Sequence, residues 1–262
     1  MQDSTAEIEK RDYLPNKPLV EALLEIKWGR ADEPDPAYPL IVGALYERLQ
    51  GDYPHIEDLP LAEAPPHIAV QAVRHRFRAK PEGWPLVQIG PGIATLNDTE
   101  DYAKDDFLNR AKLLPSQVIE SVPSSYAKPL ITSLLLQYID AVEFDYGNLD
   151  VRDFLKSRLH VELSVPDTLF QGQPVRDQPV HLGMQMAFPL SEPAGQVELR
   201  VATGQRGGKP AVIWHTTVMT TGPAAELAAQ KFDEWLEAAH GVTHHWFFAL
   251  VQGELLKGFL RK

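Results

Sequence analysis

The same order of elements is legible twice in this chain of 262 residues. Segment Glu21–Trp28 (EALLEIKW) alternates apolar and polar residues, the pattern of a half-buried strand, and Gln137–Phe144 (QYIDAVEF) answers it in the second half. Helical spacing puts Ile41, Leu45 and Leu49 on one face of Tyr38–Leu49, and Val151, Leu155 and Leu159 on the matching face of Leu149–Leu159. Each half then runs through two or more strands and closes on a helix, at Asp101–Ser121 and at Pro223–Ala239. Such a repeat limits the fold to two similar halves about a pseudo-twofold axis, which share one sheet or pack two. It divides the chain into a flexible arm at 1–13, a β-α-β-β-α unit at 14–128, and a second unit with a helical extension at 129–262. Together they form one compact two-lobed unit. The predicted class is α+β, with mostly antiparallel sheet and helices packed on one face.

The local signals carry further expectations. Ile68–Lys80 and Pro85–Asn97 read as two strands of a hairpin, with Gly90-Pro91-Gly92 as a bulge or kink inside the second. Pro115 is expected to kink or split its helix, and Gly241 to end the helix that carries His240. In the second half Leu182–Phe188, Val197–Val201 and Val212–Val218 alternate as three strands. Gly204–Pro210 has glycines and Lys209 but leads into a strand and lacks the Ser or Thr of a phosphate loop, so it reads as a hairpin turn.

Composition bounds the rest. Apolar residues make up 44% and charged residues 23%, ordinary values for a globular protein. No apolar run reaches the roughly 18 residues of a membrane span, and the polar N-terminus lacks the apolar core of a secretory signal. The absence of cysteine removes disulfides, thiolate nucleophiles and cysteine-based metal sites. A cytoplasmic location without membrane contact is therefore expected. The formal net charge of −11 favours solubility or a basic protein partner and disfavours nucleic acid, without excluding a local basic patch.

The order β-α-β-β(-β)-α, repeated, resembles the duplicated saddle of the TATA-binding-protein fold, a likeness of fold that carries no function. Three segments carry a second resemblance: Asn16-Lys17-Pro18-Leu19-Val20-Glu21-Ala22, Val87-Gln88-Ile89-Gly90-Pro91-Gly92, and Ala239-His240 with Trp246-Phe247-Phe248. With these the chain is similar, from about residue 14 onward, to an uncharacterised, sporadically distributed bacterial family of about 250 residues. The resemblance implies a bacterial protein of patchy distribution, as is common in toxin–antitoxin and phage-defence loci. It implies no catalytic residues.

Several residue groups are candidate sites. Period two places Arg74, Arg76, Arg78 and Lys80 on one strand face, either a ligand- or phosphate-binding stripe or a solvated face paired with neighbouring acids. His240 and His244 stand four apart near Glu237, with His245 and His215 as further donors. They are weak metal candidates, because the spacing departs from known zinc patterns, and no metal or other cofactor is expected. Asp98, Glu100, Asp101, Asp105 and Asp106 gather at a helix start, where acids answer the helix dipole. Asp140 interrupts an apolar strand beside Tyr138 and Val142, and a buried acid there needs an arginine or an amide as partner. An ion pair is the expected one. Trp246, Phe247, Phe248 and Phe259 supply apolar surface for a protein partner or a homodimer, or for packing across the seam between the halves.

These features favour a non-enzymatic protein-binding module, an antitoxin, immunity or regulatory subunit acting on a protein encoded nearby. Two alternatives stand beside it: a ligand or nucleotide sensor using the Arg74–Lys80 strand and the groove between the repeats, and a metal-dependent hydrolase built on the C-terminal histidines.

Overall fold

The computed structural model describes residues 14–261 except 31, 34, 66, 67, 69 and 100. The expected arm at 1–13 and the acid Glu100 lie outside the described residues. Nine strands and six α-helices are present among the described residues. The first half contains β1 (Leu19–Trp28), α1 (Tyr38–Leu49), β2 (His55–Asp58), β3 (His75–Arg78), β4 (Leu86–Gly90), β5 (Ile93–Asp98) and α2 (Lys104–Glu120). The second contains β6 (Ile131–Glu143), α3 (Val151–Arg158), β7 (Gly183–Ser191), β8 (Ala194–Arg206), β9 (Lys209–Thr221), α4 (Pro223–Ala229), α5 (Phe232–Val251) and α6 (Glu254–Leu260).

All nine strands join one antiparallel sheet in the order β2-β3-β4-β5-β1-β6-β9-β8-β7. The opening strands of the two halves therefore lie side by side at the centre, Leu24 opposite Leu136, and each half extends outward from them. Of the two arrangements a repeat allows, the chain takes the shared sheet.

Strand alternation decides which face the helices cover. Ala22, Leu24 and Ile26 of β1, Leu134 and Leu136 of β6 and Val218 of β9 point to one side, where they pack with Ile41 and Leu45 of α1, Phe107 and Leu114 of α2, and Leu236 of α5. A second cluster joins Phe144, Val212 and Trp214 to Leu155 of α3, Phe248 of α5 and Phe259 of α6. On β6 the first cluster ends at Leu136 and the second begins near Val142. Tyr138 and Asp140 stand at the seam.

Three local expectations are corrected. The Gly90-Pro91-Gly92 segment is not a kink within one strand but the turn between β4 and β5, which pair from Leu86–Asn97 to Gly90–Ile93. Gly92 takes φ +76 there, a left-handed conformation that glycine adopts without strain. A Cβ on Gly90 would lie 1.9 Å from the Ala72 carbonyl oxygen, so this close approach also demands glycine. The expected strand at 68–80 shrinks to His75–Arg78, because Gln71 turns to φ +57 and breaks extension before it. Helix breaks also fall elsewhere. α2 runs uninterrupted through buried Pro115, and α5 continues through Gly241, whose cost of roughly 1 kcal/mol is outweighed by the buried stripe Trp235, Ala239, Thr243 and Phe248. The chain breaks instead between α4 and α5, and again at Gly253, φ +88. The 204–210 segment is a hairpin turn, with Gly207 and Gly208 both at positive φ and Arg206 opposite Lys209. No helix among the described residues is long and apolar enough to cross a membrane.

Candidate functional site

The seam between the two core clusters opens into a cavity of about 610 Å³. Its floor is the sheet, with Tyr138 and Asp140 of β6 and Thr216 of β9. One wall is α5, through His240, Thr243, His244, Phe247 and Phe248. The other is the turn entering α2 and the segment Leu14–Leu19, which crosses ahead of β1. That segment is fastened on both sides: Asn16 N–H donates to the Phe259 carbonyl (3.1 Å), and Ala141 N–H donates to the Pro18 carbonyl (3.0 Å). The site is thus built from the start of the chain, the middle of the sheet and the C-terminal helices.

A chain of polar rings lines one side. The Tyr102 and Tyr138 hydroxyls lie 3.2 Å apart, and the Tyr138 hydroxyl lies 3.0 Å from Nδ1 of His240. Burial pushes the Tyr102 phenol up to about 12 and holds Tyr138 well above the ordinary tyrosine range. Lys17 donates to the Tyr102 carbonyl (2.6 Å) and lies over the Tyr102 ring at 5.7 Å. Its ammonium is held below the usual lysine range by burial, opposed by the charges of Asp98 and Asp101.

The floor behaves differently. Asp140 is 3% exposed, and its carboxyl has no hydrogen-bond or ion-pair partner among the described residues. Burial pushes it up to about 8, and the distant charge of Arg206 offsets only part of that. The ion pair expected from sequence does not form, because Arg206 donates instead to the Ala141 carbonyl at 2.8 Å. Thr216 is 1% exposed with an unpartnered hydroxyl, and the Trp214 indole N–H is unpartnered as well. Trp214 faces Asp140 in the β6–β9 register and Thr216 faces Tyr138, so Asp140 and Thr216 are diagonal neighbours on one sheet face. Such neighbours stand roughly 7–8 Å apart.

The other sequence candidates fall elsewhere. Arg74 precedes β3 and is buried, its guanidinium donating to the carbonyls of Ala64 (2.6 Å), Pro65 (3.2 Å) and Ile68 (2.9 Å). Arg76 donates to Gln88 and pairs with Glu57 at 3.4 Å. Arg78 pairs with Glu57 at 2.6 Å and donates to the Gly83 carbonyl, and Lys80 is exposed beyond the strand end. Arg76 and Arg78 belong to a network on the helix-free face of the sheet. It continues from Gln88 to Asn97 (3.2 Å) and from Asn97 to Glu21 (2.6 Å). His240 and His244 do share one face of α5, with ring centroids 5.7 Å apart. Among the described residues no group of three or more His, Asp or Glu is placed to hold a metal ion. Phe248 and Phe259 are buried in the second core cluster, and Trp246 and Phe247 pack against it; the buried members of that cluster all come from the second half, so this packing lies within one half rather than across the seam.

Sequence reasoning singled out Asp140 and His240 but not Tyr102, Thr216 or Lys17. The missed signal was polar residues on an apolar face: Thr216 sits between Trp214 and Val218 in a buried alternation, as Asp140 does on β6. Lys17, Pro18 and Leu19 from one end of the chain and His240, Phe247 and Phe248 from the other supply walls of this cavity.

No family model matches the chain, and no curated protein matches it. Among solved structures, a rolling circle replication initiator protein from Geobacillus stearothermophilus is 10% identical, with 82% of this chain and 79% of that one covered at a TM-score of 0.26. The di-domain ARO/CYC protein BexL of the BE-7585A biosynthetic pathway is 14% identical, with 89% and 99% covered at a TM-score of 0.18. Likenesses this slight carry no argument about activity.

Proposed function

We propose that the chain is a ligand-binding module whose site is the cavity between α2, α5 and the central strands. One observation carries this reading: Asp140 and Thr216 are buried, lack partners among the described residues, and line a space of about 610 Å³. An orphaned buried polar group costs roughly 1–3 kcal/mol, and a ligand that supplies the missing hydrogen bonds removes that cost. A cavity of this size with mostly apolar and aromatic walls matches the usual dimensions of small-molecule sites. The reading keeps the groove between the repeats as the sensor site and moves the polar contacts from the arginine strand to the cavity floor. It is tested by thermal shift across a chemically diverse panel of small molecules, for wild type and for Ala103→Trp, which fills the exposed rim. Saturable stabilisation of the wild type that is lost in the variant is expected. A panel without any shift, or equal binding by Ala103→Trp, overturns the reading.

A second reading, an antitoxin, immunity or regulatory subunit that binds a protein, is favoured by the β7 edge. This strand ends the sheet among the described residues, its nine residues carry no charge, and Met186 and Phe188 are 40% and 44% exposed. An uncharged apolar edge invites pairing with another strand. Co-purification with a product of a neighbouring gene, lost on Met186→Lys, supports it. Recovery of the chain as a monomer without that product counts against it.

A further inference from the structure

The orphaned groups on the cavity floor specify what kind of ligand head they accept, and the inference rests on the ligand-binding reading above. Asp140 offers two carboxyl oxygens and Thr216 one hydroxyl oxygen, all without partners among the described residues. They are diagonal neighbours on one face, roughly 7–8 Å apart between side-chain origins. A single donor-rich centre placed between them reaches both at ordinary hydrogen-bond lengths of about 2.8 Å. Aromatic rings surround them, Tyr138 on the floor and Tyr102, Phe247 and Phe248 on the walls. Ring faces attract cations and do nothing comparable for anions. Of the two lysines on the lining, Lys17 and Lys104, Lys17 is committed to the Tyr102 carbonyl and ring. The acids Asp101 and Asp105 stand at the same rim beside Lys17 and Lys104, so the rim presents no excess of positive charge that would select an anion.

From this geometry we infer that the cavity takes a protonated amine, a primary or secondary ammonium on an apolar or aromatic body, with its N–H groups on Asp140 and Thr216. A buried carboxylate is costly alone and far less so beside a positive charge. The ammonium therefore supplies the counter-charge that Arg206 fails to supply. The phenols and His240 then line the path of the ligand body rather than its head.

The test is a matched panel: aryl- and alkylamines, each with its alcohol and its carboxylate isostere, measured by calorimetry on wild type, Asp140→Asn and Thr216→Val. Amines are expected to bind at least 10-fold more tightly than their alcohols, and carboxylates not at all. Asp140→Asn should lose at least 10-fold for amines while leaving alcohols within about 3-fold, and Thr216→Val should lose a smaller factor. Circular dichroism and thermal melts on the same samples confirm that the variants are folded. If alcohols or carboxylates bind as well as amines, the amine inference falls while the ligand site stands. If binding is unaffected by Asp140→Asn, the head is not at this carboxyl. If no member of the panel binds, both this inference and the cavity reading fail.

Discussion

The helix-free face of the first half and the cavity floor of the second half hold polar groups that are buried to the same degree and treated in opposite ways. Asn97 is 5% exposed and Asp140 is 3% exposed. Around Asn97 every step finds a partner, from Glu57 through Arg76, Gln88 and Thr95 to Glu21. Around Asp140 none does among the described residues, and the Thr216 and Trp214 polar atoms are left in the same state. Burial alone therefore does not distinguish the two regions; partnership does. A closed network fixes strand register and rigidifies the sheet, whereas orphaned groups lower stability.

The contrast can be broken in four places. The largest effect belongs to Asp140. Its carboxyl titrates near 3.8 when unfolded and near 8 when folded, so across that window the native state holds a proton that the unfolded state has released. The contribution of this one carboxyl to stability is then greatest below about pH 4, declines by roughly 1.4 kcal/mol per pH unit as pH rises, and levels off above about pH 8. Asp140→Asn should remove that slope, whatever the amide itself costs, and urea denaturation from pH 4 to 9 reads it directly. A wild-type profile as flat as the variant's would place the carboxylate in a better environment than the one described.

Next comes Arg74→Met, which removes a buried guanidinium and its bonds to three part-buried carbonyls and should cost about 3 kcal/mol in denaturant unfolding. A loss below about 1 kcal/mol would mean that solvent replaces the guanidinium. Asn97→Ala removes the joint between Gln88, Thr95 and Glu21 and should cost about 2 kcal/mol. Combined with Gln88→Ala it should be clearly non-additive, since both belong to one network. The smallest effect is Thr216→Val, an isosteric change to a hydroxyl with no partner. Its stability should stay within about 1 kcal/mol of wild type or rise, and a larger loss would reveal a hydrogen bond made by this hydroxyl.

Much of the scaffold was legible because alternation and helical spacing are local. Tyr38–Leu49 is a helix at the bounds its spacing predicts. The strands β1, β6, β7, β8 and β9 all fall on the alternating segments. The failures are instructive in the same terms. The β4–β5 turn was read as a kink because a two-residue hairpin and a bulge share the same glycine signature, and only the long-range pairing of Leu86 with Asn97 tells them apart. Gly241 reads as a helix end, and Pro115 as a kink or a split, because their local cost is visible in sequence and the burial that keeps both helices unsplit is not. The arginine strand drew attention through its charge, yet its partners Glu57, Gln88 and the Ala64–Ile68 carbonyls come from segments whose approach no local pattern encodes.

By itself the sequence determined a repeated β-α-β unit, an antiparallel sheet with one covered face, and an acid set into an apolar strand at Asp140. Side-chain period and apolar spacing are properties of neighbouring residues, and they suffice for that much. Only the tertiary structure decided that the two halves share one sheet with β1 beside β6. It also decided that the core divides at Tyr138 and Asp140, and that Arg206 turns to a carbonyl instead of to the acid. Whether a buried polar group has a partner depends on residues far apart in the chain, and for Asp140 that long-range fact is what converts a strand position into a candidate binding site.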